Sequence, residues 1–134
     1  GYTPRPALFA LSIDDGRVLW DHPLARGCET TLEAYNARTE PWPECPWYYG
    51  YSAAVSSVPG VVFAGALNGR LTAHSTRDGT PLWSFETARP FETINGVPAH
   101  GGSIDNAAAL PAGDMLYVQS GYSWFGQLPG NVLL

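Results

Sequence analysis

An eleven-residue segment occurs twice in this chain. Ala10-Leu11-Ser12-Ile13-Asp14-Asp15-Gly16-Arg17-Val18-Leu19-Trp20 aligns without a gap on Ala73-His74-Ser75-Thr76-Arg77-Asp78-Gly79-Thr80-Pro81-Leu82-Trp83. Identities fall at Ala10 and Ala73, Ser12 and Ser75, Asp15 and Asp78, Gly16 and Gly79, Leu19 and Leu82, and Trp20 and Trp83, always 63 positions apart. A fixed period of this kind marks an architecture built by repetition, in which each unit buries its apolar face on the next. Each copy reads as a strand, a turn on Asp-Gly and a second strand ending in Leu-Trp. Glycine, with no Cβ, and aspartate, which tolerates the left-handed region, supply the positive φ angles of a tight hairpin turn. A tryptophan recurring once per unit brings a large apolar area to a fixed place, so Trp20 and Trp83 are predicted to pack between neighbouring units.

Between the copies lies a second hairpin. Strands are predicted over 52–58 and 61–66 around Pro59-Gly60, then over 70–75 and 80–86 around Asp78-Gly79, with Asn68-Gly69 turning the chain between them. Four strands meandering antiparallel make one blade of a propeller. The pattern restarts with Ser103 to Leu110, a turn at Pro111-Ala112-Gly113, Met115 to Gln119, and Asn131 to Leu134 as the opening of a further strand. Upstream, Ala7 to Ile13 and Arg17 to Asp21 supply the last two strands of a preceding blade. The predicted fold is therefore all-β, a partial β-propeller holding about two four-stranded antiparallel blades. It divides into a half blade over 7–22, a full blade over 51–86 and a partial blade over 103–134. Blades expose both faces until neighbours cover them, so the remaining blades of the same propeller are the first expected partners.

Composition agrees and removes several functions. Fifteen Gly, 12 Pro and a 13% aromatic share against 14% charged residues suit short strands and tight turns. All seven basic residues are arginine and are scattered singly, so a P-loop lysine, a lysine Schiff base and a basic stripe for nucleic acid are excluded, in keeping with a net charge of -5. No segment has the roughly 20 apolar residues of a membrane-spanning helix, and no leader peptide is visible. Gly1 rather than Met begins the sequence, which leaves room for a targeting segment ahead of it. His22, His74 and His100 show no ligand spacing. Cys28 and Cys45 sit in one Pro- and Glu-rich stretch and read either as a loop-closing disulfide, stabilising by about 3 kcal/mol in an oxidising compartment, or as two free thiols.

Loop lengths place a candidate site. In a meandering blade, first-to-second and third-to-fourth strand turns lie on one face of the disc, and here all are short. The crossovers 23–50 and 87–102 and the loop 121–130 lie on the other face. Function tends to sit in loops held by a rigid scaffold. The second crossover runs Phe91-Glu92-Thr93-Ile94-Asn95-Gly96-Val97-Pro98-Ala99-His100-Gly101-Gly102-Ser103-Ile104-Asp105-Asn106 into an inner strand. Asn95, His100, Ser103, Asp105 and Asn106 are the candidate small-molecule contacts. Turn formation and local backbone bonding are the alternative roles of the same residue types. The loop Gly121 to Gly130 sets Tyr122, Trp124 and Phe125 beside glycines and suits an apolar or polyhydroxylated substrate. The first crossover carries Glu29, Glu33, Glu40 and Glu44 without the alternating spacing of a calcium loop. A nucleophile elbow at Gly121-Tyr122-Ser123 fails because position 125 is Phe, which removes a hydrolase.

The Asp-Gly hairpin closing with Leu-Trp resembles the repeat of the pyrroloquinoline quinone (PQQ) propellers. Val58-Pro59-Gly60-Val61-Val62-Phe63-Ala64-Gly65, Phe91-Glu92-Thr93-Ile94-Asn95-Gly96-Val97-Pro98-Ala99, and Ser120-Gly121-Tyr122 with Pro129-Gly130-Asn131-Val132-Leu133-Leu134 resemble the polyvinyl-alcohol dehydrogenases, near the family's C-terminal end. The resemblance implies a quinoprotein-like ring of about seven or eight blades. It also implies a periplasmic or secreted enzyme that oxidises secondary alcohols with PQQ and calcium and passes electrons to cytochrome c. Asp105 is the carboxylate best placed to act as its base. Neither a Cys-x-x-Cys-His haem motif nor adjacent cysteines occur in the chain. A noncatalytic propeller that scaffolds protein assembly, binding no quinone, is the alternative from another class.

Overall fold

The computed structural model describes residues 5–24, 49–124 and 126–134. Cys28 and Cys45, and with them the predicted disulfide and the acidic first crossover, lie outside the described residues. Among the described residues every regular element is a strand. Strands β1 (Ala7–Leu11) and β2 (Val18–Pro23) form a hairpin. Strands β3 (Ser56–Val58), β4 (Val61–Gly65), β5 (Arg70–Ser75) and β6 (Pro81–Glu86) form a four-stranded antiparallel sheet in chain order. The crossover after it folds into a small hairpin, β7 (Pro90–Phe91) with β8 (Ala99–His100). Two ribbons complete the chain, β9 (Leu110–Ala112) with β10 (Met115–Tyr117), and β11 (Gln119–Ser120) with β12 (Val132–Leu133). The all-β partial propeller expected from the sequence is what the chain forms.

The two repeat hairpins match in backbone detail. Ser12 N–H donates to Arg17 O at 2.8 Å and Ser75 N–H to Thr80 O at 2.9 Å, while Gly16 and Gly79 each donate to the leading serine at 2.9 Å. Gly16 and Gly79 have φ of 71° and 73°, the left-handed region that favours glycine. The turn aspartates accept backbone N–H bonds at 3.1 Å, Asp15 from Arg17 and Asp78 from Thr80. Hydrogen bonding holds both carboxyls below the ordinary carboxylate range, led by the Ser12 side chain at Asp15 and by the Thr80 N–H at Asp78. Even the register shift recurs, between Ala10 and Leu11 and between Ala73 and His74.

The first strand of each unit is shorter than predicted. Pairing begins at Ser56 rather than 52 and at Leu110 rather than 103, and the last turn sits at Gly113-Asp114 because Pro111 and Ala112 pair with Leu116 and Met115. Upstream of Leu110 the backbone bonds elsewhere: Ile104 N–H donates to Ala66 O at 3.1 Å and Ser103 N–H to Leu128 O at 2.9 Å. The segment leading into the third unit is thus spent on gripping its neighbours.

Alternation along the sheet gives it two faces. Val62, Ala64, Thr72 and His74 face the β1–β2 hairpin across a first seam. There the Trp20 ring lies flat on Gly79, where an added Cβ would come within 2.7 Å of it, and Trp20 Nε1–H donates to Thr76 O at 3.1 Å. His22 meets His74, ring centroids 4.5 Å apart. Phe63, Gly65, Leu71 and Ala73 face the opposite way, into a second seam. Leu71, Ala53, Ile104, Ala109 and Val118 form its buried core, with Phe63, Leu116 and Leu134 packed against them. Gly65 is a glycine because the Ile104 side chain occupies the place of its Cβ, 2.3 Å away. The period reaches this third unit too: Leu8, Leu71 and Leu134 stand 63 apart. Trp83 and Phe85 project on the second face, ring centroids 6.0 Å apart and nearly parallel, and Trp83 is 45% exposed.

Candidate functional site

Where the second crossover meets the loop 121–131, four backbone segments converge on small residues and hydroxyls. Thr87, Ser103 and Ser120 are essentially fully buried. Thr87 Oγ1–H donates to Gly69 O at 2.6 Å and Ser120 Oγ–H to Gly102 O at 2.9 Å, and the two hydroxyl oxygens lie 2.7 Å apart. Ser120 Oγ in turn accepts from Gly102 N–H at 2.9 Å. Ser103 Oγ donates to Leu67 O and accepts from Leu128 N–H at 2.9 Å. Glycines let these backbones touch: a Cβ on Gly101 would lie 1.9 Å from Thr87 O, and one on Gly102 2.2 Å from Leu128 O. Buried polar groups are stable here because each has a partner.

The five sequence-predicted residues divide around this stem. Asn95 sits at the exposed tip of the β7–β8 hairpin, where its Oδ1 accepts from Thr93 Oγ1–H at 2.8 Å and Val97 N–H at 3.2 Å. His100 is exposed, with Nδ1 against its neighbour Gly101 O, an acceptor that places the proton on Nδ1. Its backbone is clamped by Asn131, whose Oδ1 accepts from His100 N–H at 3.0 Å and whose N–H donates to His100 O at 2.9 Å. Ser103 is the buried staple already described. Asp105, half-buried, accepts from Gln127 Nε2–H at 2.7 Å, and Asn106 beside it is exposed. His100, Ser103 and Asp105 are therefore all tied to the loop 121–131, and Asn95 stands apart on the hairpin tip.

Three residues that organise this region carried no signal in the sequence reading. Gln127 joins the loop to Asp105 while its Oε1 accepts from Trp124 N–H at 3.0 Å and its backbone O from Ser123 Oγ–H at 2.8 Å. Thr87 and Ser120 are isolated hydroxyls in otherwise ordinary strand ends, and their role rests on a contact spanning 33 positions. A cleft of about 510 Å³ opens at the base of the loop, with Gln119, Tyr122, Ser123, Asn131 and Leu133 on its walls. None of the five predicted residues lines it. Among the described residues no three His, Cys, Asp or Glu side chains come close enough to hold a metal ion, so they do not by themselves fit a calcium site. No described helix is long and apolar enough to cross a membrane.

No protein-family profile matches the chain. It is 41% identical over 120 residues to a polyvinylalcohol dehydrogenase of Pseudomonas sp., and 35% identical over 121 residues to a polyvinylalcohol dehydrogenase of Sphingopyxis sp. (strain 113P3). Each alignment takes in 89% of this chain and 17% of the relative. The chain thus spans about a sixth of the length of these curated relatives.

Proposed function

We propose that this chain is a segment of a quinoprotein alcohol dehydrogenase of the polyvinyl-alcohol dehydrogenase type, oxidising secondary alcohols outside the cytoplasm and passing electrons to cytochrome c. The observation that carries the reading is the 41% identity maintained over 120 residues. The repeat and the partial-propeller fold are compatible with it. In the full-length protein PQQ, polarised by calcium, supplies the acceptor for the hydride and its electrons. This segment is proposed to contribute framework and one edge of the site.

On this reading the hydroxyl staples Thr87, Ser103 and Ser120 fix the level of the loops, and Gln127 orients Asp105. Asp105 is the one proposed catalytic group: its Oδ2 is held by Gln127, and a base must come within about 3 Å of a substrate hydroxyl. His100 and Asn106, both exposed, are proposed to contact cofactor or substrate; Asn95, at the hairpin tip, and Ser103, whose oxygen is already engaged, are proposed to shape the loops. The test is reconstitution of the full-length parent with PQQ and calcium, followed by dye reduction with a secondary alcohol. Bound quinone absorbance and alcohol-dependent reduction are expected. With neither, the parent is a noncatalytic scaffold. Asp105→Asn should lower kcat at least about a hundredfold while leaving quinone binding intact.

A further inference from the structure

His74 is fully buried, and both of its ring nitrogens are engaged. Nδ1 lies 3.1 Å from Gly79 O, which can only accept, so Nδ1 carries a proton. In the neutral ring Nε2 must then accept, and its 2.9 Å partner, Thr72 Oγ1, donates to it. The same hydroxyl lies 3.2 Å from Ala64 O. If Nε2 takes up a proton, Thr72 turns its own proton to Ala64 O and no hydrogen bond is lost. What changes is charge: a cation then sits inside the first seam, facing the His22 ring at 4.5 Å.

Among the described residues nothing packed against the ring offsets that charge. Strand β2 brings His22. On the sheet's own side, Arg70 of β5 is paired with Glu86 of β6 at 3.6 Å, and Asp78 in the turn is tied to Thr80 N–H at 3.1 Å. Tyr51, ahead of β3, has a phenol that burial pushes up, so it stays neutral. Burial holds His74 below the ordinary imidazole range; the Gly79 carbonyl opposes this and His22 adds to it.

We propose that the His22–His74 contact makes the first seam acid-labile, so that protonation of the buried His74 against the His22 ring undocks the β1–β2 hairpin from the four-stranded sheet while the second seam stays closed. The core of the second seam holds no titratable side chain. The repeat itself names a clean replacement, because the position 63 after His22 is Phe85. Phenylalanine keeps a ring at the contact and removes the charge.

The experiment follows the indole N–H resonances of the 15N-labelled chain from about pH 7.5 to about pH 5, the window in which histidine charges. Trp20 is assigned by the loss of its peak in Trp20→Phe, and Trp83, outside the first seam, serves as the internal reference. Solvent exchange of the Trp20 indole relative to that of Trp83 should rise at least about tenfold at the acid end. His22→Phe should move the midpoint down by about half a pH unit or more, and His74→Leu should abolish the transition. A Trp20-to-Trp83 exchange ratio flat across the range, or an unchanged midpoint in His22→Phe, would overturn the proposal. Should His74→Leu fail to fold, His22→Phe decides alone.

Discussion

The central sheet is closed on its two faces by different chemistry. On the first face a tryptophan, two histidines and a threonine meet: the indole reaches across the seam to Thr76 O, while the His74 imidazole is held on the sheet's own side by Gly79 O and Thr72. On the second face Leu71, Ile104, Val118 and two alanines interlock, and the polar bonds are confined to the stem of Thr87, Ser103 and Ser120. The first kind of seam fixes orientation and responds to protonation. The second has an apolar core and responds to packing volume. The candidate loops 87–102 and 121–131 are rooted on that side through Thr87, Ser103 and Ser120.

The largest expected effect is on that side. Leu71→Ala should destabilise the chain by about 3 kcal/mol, measured by urea denaturation, since it removes buried methyls from a place Ile104 and Phe63 cannot fill by themselves. Leu8→Ala, its repeat counterpart in the first seam, should cost less, about 2 kcal/mol, because a hairpin can shift toward the gap more readily than a sheet. Equal losses would erase the distinction between the seams.

The tryptophans sharpen it next. Trp20 and Trp83 are equivalent by sequence, yet Trp20 has a glycine beneath it and a carbonyl for its N–H, whereas Trp83 rests on Phe85 and is 45% exposed. Trp20→Ala is expected to cost about 2 kcal/mol and Trp83→Ala about 1 kcal/mol or less in this chain. In a longer polypeptide that extends the third unit over Trp83, the second value should rise to match the first. A Trp83→Ala loss equal to that of Trp20→Ala in the 134-residue chain would mean that Trp83 is covered without that extension.

Between the two tryptophan values lies Ser103→Ala. It strips partners from Leu67 O and Leu128 N–H inside a buried stem, for an expected loss of about 1.5 kcal/mol. The same substitution in the full-length parent should leave the affinity for quinone within about twofold if Ser103 only shapes the loops.

How far these seams were legible in the sequence depends on range. The repeat hairpins were read with their turns because an Asp-Gly pair, a leading serine and a closing tryptophan are local signals, and the local bonds they make recur in both copies. Segments 52–55 and 103–109 look like strands, with Ala53, Ile104 and Ala109 as apolar anchors, but their backbones leave the ladder. Tertiary partners such as Ala66 O and Leu128 O take the bonds that a strand would use. The candidate site shows the same limit. Asp105 and His100 stood out by chemistry, whereas Gln127, Thr87 and Ser120, which position the loops around them, are set by contacts between residues 22 to 33 positions apart. His74 has no ligand spacing in the sequence, and its meaning appears only when His22 is seen against it.

The smallest effect expected at neutral pH is also the most selective. His74 is held below the ordinary imidazole range, so the folded chain binds a proton there less readily than the unfolded chain does. Stability from this group is therefore complete above the unfolded value of about 6.5 and is lost as pH falls toward the lower folded value. If the first seam carries that loss, contacts within it should count for less in acid. The penalty of Trp20→Ala should shrink between about pH 7.5 and about pH 5 as the wild-type hairpin itself undocks, while the penalty of Leu71→Ala should hold constant. Parallel declines in both penalties would instead mean that the two seams open together, and that the central sheet and its flanking units form one cooperative body.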